Sequence, residues 1–309
     1  MMAWFALARF ARAVITILVV VGFAFIVLRL SGDPALEILS NDAPPEARDA
    51  FRSAYGLDQP IWLQFFDYMT HVAAGNLGNS MREGRDALTV VIERIPITLA
   101  LSVPAFLINV LIGIPAGILA ALHRNSLLDR GVMFGAVAGF TIPSFVLGLL
   151  LVLVFSVQLG WLPSGGARSW HHAILPVLTL GAGGAAVLAR YTRSAMLEVL
   201  GQPYIRTAHV KGVPWRLVVY RHALPNAAIP MVTIIGFMVG QLIAGAVLVE
   251  SVFAWPGVGR LLVASVVSRD LPVVQCVLFL IAVTMVTSNL LVDLLYGLLD
   301  PRIRRGGQA

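Results

Sequence analysis

The composition of this 309-residue chain excludes an ordinary soluble domain, because 58% of its residues are hydrophobic and only 12% are charged, about half the charged share of soluble domains. A formal net charge of +6 would suggest nucleic-acid binding in a soluble protein. Here the basic residues stand in short segments beside long apolar runs, which is the pattern of a membrane protein. The single cysteine, Cys276, excludes an intrachain disulfide, and we interpret it as an inert thiol packed within an apolar run.

Six apolar runs predict six membrane-spanning helices. The first run follows Arg9 and Arg12 and lacks a small-x-small cleavage site, so we interpret it as a retained helix and not as a signal peptide. The runs comprise residues 13–28, 95–122, 131–160, 173–189, 223–249 and 272–292.

Between the first two runs, residues 31–96 form the only long polar region of the chain, with ten acidic residues against five arginines. Short amphipathic pieces, such as residues 60–72, predict a small folded cap. A plain connecting loop is the alternative, but about sixty residues without structure would be unusual. The acidic balance favours the extracytoplasmic side for this cap.

Basic residues are distributed unequally between the two sides of the predicted helices. Thirteen lie at the two termini and in the loops after the second and fourth runs, and eight lie in the opposite segments. Since cytoplasmic segments near the membrane are enriched in lysine and arginine, both termini are predicted to be cytoplasmic. We therefore expect a multi-pass protein of the plasma or inner membrane.

The longest basic interruption in the second half of the chain spans residues 204–225 and reads as helix, glycine stop, helix. Pro203 stands where a first helical turn tolerates proline, and Gly212 stands where a helix ends in the left-handed conformation. Pro214 then opens the next helix. By contrast, residues 250–271 read as an outer loop between the last two runs.

Motifs for chemistry are lacking in the sequence. It has no phosphate-binding glycine–lysine loop, no GxGxxG and no HExxH. His171 and His172 are adjacent and would point apart on a helix, which disfavours a metal site. We assign no catalytic residue, metal site or cofactor. Glu250 and Asp293 read as interfacial acids near span ends, and Gln241 and Asn289 are candidates for a translocation path.

The spacing of the basic segment resembles the cytoplasmic motif of type I ABC importer permeases, which reads EAA, three residues, G, nine residues, I, one residue, LP. Here the corresponding residues are Arg206-Thr207-Ala208, Gly212 and Leu224-Pro225. The version in this chain is similar to that of the dipeptide/oligopeptide/nickel permeases and departs from it at His209 and Val210. Further segments resemble the first-permease type (oligopeptide/dipeptide permease B) of this branch, in residues 32–34, 55–60, 75–80, 250–260, 269–272 and 293–304.

This resemblance implies an all-α membrane protein with the six transmembrane helices of the type I importer permease fold. Residues 1–30 would form the N-terminus and first helix, residues 31–96 the extracytoplasmic cap, and residues 97–309 the core permease domain with its coupling segment, residues 196–225. The expected ATPase-coupling residues are Tyr204, Arg206, Thr207, Ala208, His209, Lys211, Gly212, Leu224 and Pro225. Topology and polarity make the cap and the 250–271 loop the candidates to receive a binding protein, with Trp255, Pro256, Arg260, Arg269 and Asp270 as candidate contacts.

The implied partners are a second homologous permease, two cytoplasmic ATP-binding subunits, an extracytoplasmic solute-binding protein and membrane lipid, without nucleic acid. The chain would form the path for di- or oligopeptides and perform no catalysis itself. Nickel or glutathione remain alternative solutes within the family. An ion-coupled secondary transporter would need inverted repeats and a coupling-ion site, and an intramembrane enzyme would need a convergent catalytic set.

Overall fold

The computed structural model of the chain describes residues 2–30, 32–39 and 43–299. These residues are nearly all helical, and the β pairing among them is limited to one antiparallel bridge between Asn79 and Asp86. The first part of the chain forms α1 (Met2–Leu30), α2 (Pro34–Ile38), α3 (Pro45–Ala54), α4 (Ile61–Ala73), α5 (Ala87–Ile92), α6 (Ile95–Ile108), a π-helical segment (Asn109–Gly113) and α7 (Ile114–Leu122). The predicted basic tail and the side chain of Asp293 lie outside the described residues.

The second part of the chain is equally helical. It forms α8 (Leu127–Thr141), α9 (Ser144–Leu151), a π-helical segment (Val152–Gln158), α10 (His171–Leu200), α11 (Pro203–Val210), α12 (Trp215–Val218), a π-helical segment (Val219–Ala223), α13 (Leu224–Ala244), α14 (Val247–Val252), α15 (Val258–Val267) and α16 (Leu271–Leu299).

Five stretches of the described residues are long and apolar enough to cross a membrane, and a bent helix pair brings the number to six. This agrees with the six predicted runs. The bent pair is the third run, which was expected as one helix but breaks between α8 and α9 with an angle of 101°. Ile142 at the break is extended (φ −76°, ψ 118°) because Pro143 follows it and excludes the helical conformation.

Two further helix boundaries differ from the prediction. Residues 250–271 are wrongly predicted as a loop, since α14 and α15 occupy most of this stretch. The ten residues of α15 are too few to span a membrane, so its apolar pattern does not stand out in the sequence. The helix that contains the fourth predicted run, residues 173–189, extends beyond that run, because α10 continues as one 30-residue helix to Leu200.

The chain divides into two compact units. One, here called the cap unit, comprises Met1–Thr98 and Pro256–Val286. In it α4 packs on α1, with the Phe65 and Tyr68 ring centroids 5.3 Å and 5.6 Å from that of Phe25. The polar region predicted as a folded cap holds α2, α3, α4 and α5. Cys276 in α16 is fully buried, in accordance with the packed thiol inferred from sequence.

The other unit, here called the core unit, comprises Leu99–Trp255 and Thr287–Ala309. Its central helix is α10, against which α7 packs at very short range. A Cβ atom at position 117 would lie 2.5 Å from the carbonyl oxygen of Ala189, and one at position 113 would lie 2.8 Å from that of Ala185. Glycine at these positions therefore lets the two helix backbones approach, as is common between membrane helices.

Candidate functional site

The predicted helix–glycine–helix segment is present in the core unit. Pro203 occupies the first turn of α11, Gly212 adopts φ 79°, and Pro214 immediately precedes α12, so all three predictions are confirmed. The amide of Gly212 donates to His209 O (3.0 Å) and that of Val213 to Ala208 O (3.3 Å), the two bonds of a Schellman motif. These bonds satisfy the last carbonyls of α11 and fix the direction in which the chain leaves it.

One side of α11 is anchored in the hydrophobic core. Ile205 is only 2% exposed and belongs to a buried cluster that joins α7, α10 and the helix leading into α13. Ala208 and Leu224 pack against this cluster from its edge. The cluster consists of Ala121, Ala195, Met196, Ile205, Val218, Val219, Ala223 and Ala227.

The opposite side of α11 faces away from this core and combines basic, polar and apolar groups. Val210 is 86% exposed, which is unusual for a β-branched apolar residue. The imidazole of His209 meets the Trp215 ring at a centroid distance of 5.7 Å and holds the indole beside the turn. On α11 and at its C-cap, the exposed residues from the predicted coupling set are Tyr204, Arg206, Thr207, His209 and Lys211.

Beyond the turn, the coupling segment continues without a break into the fifth span. Residues 215–252 form one apolar helical stretch, with the π-helical segment near its start. Leu224 is partly buried, and Pro225 is exposed in the first turn of α13. A displacement of α11 would therefore act directly on α13 through covalent continuity and on α7 and α10 through the buried cluster.

An ion pair that sequence reasoning did not identify lies in the same unit. The guanidinium of Arg193 in α10 donates to both carboxylate oxygens of Asp129, at 2.5 Å and 2.8 Å. The amide of Asn125 donates to Asp129 as well, at 2.9 Å. This bidentate pair ties the first turn of α8, and through Asn125 the loop after α7, to the C-terminal half of α10. In the sequence, the one indication of this ion pair is that Asp129 is the single acid in a short basic segment.

A cavity of about 400 Å³ lies among α6, α9, α10 and α13 of the core unit. Gln241, one of the two predicted path residues, lines this cavity, whereas Asn289 in α16 does not. Asn109, the first residue of the first π-helical segment, also lines this cavity. Among the described residues, Asn109 Oδ1 and Ser102 Oγ are buried and have no hydrogen-bond partner. The polar residues of its lining are Ser102, Asn109, Ser144, Thr179, Tyr191 and Gln241, and none of the lining side chains is charged.

The candidate docking residues occupy two environments. Trp255 and Asp270 are buried, whereas Arg260 is exposed. Asp270 accepts hydrogen bonds from the Ser80 hydroxyl and, at 2.9 Å, from the Met81 amide, both within the cap unit. This gives Asp270 a structural role at the start of α16. Docking itself stays a prediction, and Pro256, Arg260 and Arg269 are the candidates with accessible side chains.

Two other predicted features concern acids and metals. Glu250 is fully buried in α14 and has an interaction partner there, and its place near a membrane interface stays a prediction. Within the part of the chain that the structure describes, no three histidine, cysteine, aspartate or glutamate side chains lie close enough to hold a metal ion.

Comparison with known proteins identifies the class. Residues 113–305 match the family described as "Binding-protein-dependent transport system inner membrane component", and residues 2–102 match the corresponding N-terminal family. The chain belongs to this family of binding-protein-dependent transport permeases and is a multi-pass inner-membrane permease subunit of an ABC importer.

Similar proteins include one from Salmonella typhi named "Glutathione transport system permease protein GsiC". It is 45% identical over 301 residues, which cover 97% of this chain and 98% of that protein. The protein of the same name from Escherichia coli (strain K12) is 46% identical over 275 residues, covering 89% of this chain and 90% of that one.

Among solved structures, a chain of the MetNI methionine ABC transporter in inward-facing conformations is similar in fold. The TM-score is 0.57 at 22% identity, and the match covers 68% of this chain and 96% of that chain. This likeness confirms the predicted importer permease fold.

Proposed function

We propose that this chain forms half of a translocation path for small peptides, with glutathione as the first candidate solute. A second, homologous permease would supply the other half, and two ATP-binding subunits on the cytoplasmic side would hydrolyse ATP. An extracytoplasmic binding protein would deliver the solute. The family supports the kinds of partner, and the names of the 45–46% identical relatives support the solute.

The observation that carries this proposal is the two-sided construction of α11. Its inner side is anchored by Ile205 in a cluster shared with α7 and α10, and its outer side presents Arg206 and Lys211. A helix that transmits movement between proteins needs both a surface for the partner and a firm attachment to the spans. A loop that only sets membrane topology would need charge but no buried anchor.

The same construction indicates how coupling would work. When the ATP-binding subunits close, they would displace α11, and the buried cluster would carry the displacement to α7, α10 and α13. Helices α10 and α13 also line the cavity that contains Gln241. Movement of these helices would open and close that cavity toward either side, which is the rocking motion of alternating access.

The cavity lining favours a peptide over a metal ion as the solute. Its polar side chains are hydroxyl and amide groups, and the described lining residues include no histidine or carboxylate ligands. Ni²⁺ prefers imidazole and other strong donors, whereas amides and hydroxyls match the hydrogen-bonding groups of a peptide. Glutathione, a tripeptide, fits this chemistry.

The experiment that tests both solute and coupling is uptake of labelled glutathione by cells that carry the complete importer. We expect uptake with the natural chain and with Gly212→Ala, but none with Gly212→Pro. A Cβ atom at position 212 meets nothing within 4 Å, so alanine bears only the left-handed backbone cost of about 1 kcal/mol. Proline cannot adopt φ 79° and removes the amide that bonds His209 O.

The outcomes are separable. If cells with the natural chain take up dipeptides or nickel but no glutathione, the proposed solute is wrong and the one taken up replaces it. Normal uptake by Gly212→Pro, at equal amounts of chain in the membrane, would contradict the coupling role.

A further inference from the structure

A second cavity, of about 420 Å³, lies within the cap unit and differs in character from the one in the core unit. Its walls come from the end of α1, the turn between α3 and α4, helix α4 and the start of α16. Unlike the neutral core cavity, it contains a guanidinium group, that of Arg29, together with the carboxylate of Asp67.

Several buried polar atoms in this wall have no protein partner. Arg29 Nε and Nη1, the Tyr68 hydroxyl and Gln275 Nε2 are buried without a hydrogen-bond acceptor among the described residues. Gln64 Oε1 is buried without a donor, although its own Nε2 donates to Gln59 O at 2.6 Å. Buried polar groups are nearly always paired, so a cluster of such atoms around one cavity indicates a ligand.

The charge of Arg29 indicates which kind of ligand this cavity would bind. The guanidinium of Arg29 lies 5.3 Å from the Phe25 ring centroid, and no carboxylate among the described residues forms an ion pair with it. Burial raises the pKa of Tyr68 to about 12, so its hydroxyl is a protonated donor at neutral pH. An arginine with two buried guanidinium nitrogens, beside a hydroxyl and an amide, is the donor set that binds an oxyanion.

The surroundings of the cavity favour a lipid as the source of that oxyanion. Arg29 stands at the end of the first span, where lipid headgroups lie. On α4, Trp62 and Phe66 are each 63% exposed and form an apolar face beside the polar wall. A helix with one apolar face of this kind lies in the membrane interface. Acyl chains would cover this face while the headgroup enters the cavity.

We propose that the cap unit holds a phospholipid headgroup, with its phosphodiester bound by Arg29, Tyr68 and Gln275. Asp67 lines the same cavity, and its side chain is exposed. A headgroup that carries a primary ammonium group beside the phosphate matches both charges, so phosphatidylethanolamine is the expected occupant. The bound lipid would fasten α4 and the end of α1 to the membrane.

The test measures lipid binding to the purified, delipidated full chain. Phosphatidylethanolamine is titrated in, and the bound fraction is read by native mass spectrometry. Arg29→Gln is expected to weaken binding about tenfold or more, and Tyr68→Phe about fivefold, since each removes a bond to a charged group. Arg82→Gln and Tyr220→Phe change exposed residues of the same types outside the cavity and should bind as the natural chain does.

Tyr68→Phe keeps the test decisive if Arg29→Gln fails to fold. The Tyr68 hydroxyl has no protein partner, so the delipidated Tyr68→Phe chain should melt no lower than the natural chain. Equal lipid binding by both cavity variants and the controls would overturn the proposal. Displacement of the lipid by a dipeptide would overturn it too, because the cavity would then bind solute carboxylates.

Discussion

Asp129, in the first turn of α8, is a buried carboxylate whose interactions explain why an acid stands among basic residues. It accepts two hydrogen bonds from Arg193 and one from the Asn125 amide, so its charge is matched despite burial. Asn125 itself adopts φ 66°, a conformation that asparagine tolerates better than most residues. The carboxylate therefore stabilises both the tight turn before α8 and the attachment of α8 to α10.

Replacing this carboxylate should lower the stability of the core unit. Asp129→Asn keeps an acceptor for Asn125 but leaves Arg193 without its counter-charge, and we expect a loss of about 1–3 kcal/mol. Arg193→Met alone should also lower the stability of the core unit, because it leaves the buried carboxylate of Asp129 without its ion-pair partner. The measurement is thermal unfolding of the purified chain in detergent.

A double-mutant cycle separates the pair from other effects. The double variant should lose less stability than the sum of the two single variants, by about 0.5–3 kcal/mol, if the two groups act on each other. Strict additivity would contradict the pairing. Arg130→Gln, an exposed arginine one residue from Asp129, serves as the control and should leave unfolding unchanged.

At the scale of elements, α11 is a short helix that depends on its neighbours for order. Eight residues are too few for a stable isolated helix in water. The burial of Ile205 and the two bonds of the Schellman motif supply what local propensity does not. Its exposed face is therefore presented in a fixed orientation, which a partner surface requires.

Charge reversal on that face should prevent assembly with the ATP-binding subunits. We expect the double variant Arg206→Glu and Lys211→Glu to lose most of the ATP-binding subunits in a pull-down from detergent extracts. Both side chains are exposed and neither belongs to the buried cluster, so folding of the chain should be unaffected. Arg130→Glu, an exposed basic residue outside α11, should retain the partners. Equal recovery of the ATP-binding subunits with the natural chain, the double variant and Arg130→Glu would show that α11 is not the contact.

At the scale of the whole molecule, the proposed direction of transport depends on which side of the membrane each segment faces. The unequal distribution of basic residues predicts that α11 lies in the cytoplasm and the cap outside. The chain is well suited to a test by cysteine labelling, because its single cysteine, Cys276, is fully buried and can be replaced by alanine.

In the Cys276→Ala background, Lys211→Cys should react with a membrane-impermeant maleimide only after the membrane is opened. Arg82→Cys should react in intact cells from which any outer membrane has been removed. Both positions are exposed, so failure to react would reflect sidedness and not burial. Labelling of both positions from the same side would contradict the proposed orientation.

The sequence by itself determined the helical membrane class, the six apolar runs and the helix–glycine–helix segment. Hydrophobic length and charge are local properties, and the conformational limits of Pro203, Gly212 and Pro214 do not depend on distant residues. The family was expected from the resemblance of single segments to known permeases, and the family comparison confirms it.

The tertiary structure alone decided which residues meet. The Asp129–Arg193 pair joins two residues far apart in the chain. The unpaired polar atoms around Arg29 and the burial of Glu250 depend on how other parts of the chain pack around them. In an apolar run every face looks alike, so periodicity could not separate Gln241, which lines a cavity, from Asn289, which does not. Membrane helices bury some apolar faces against protein and leave others for lipid, and only helix packing selects among them.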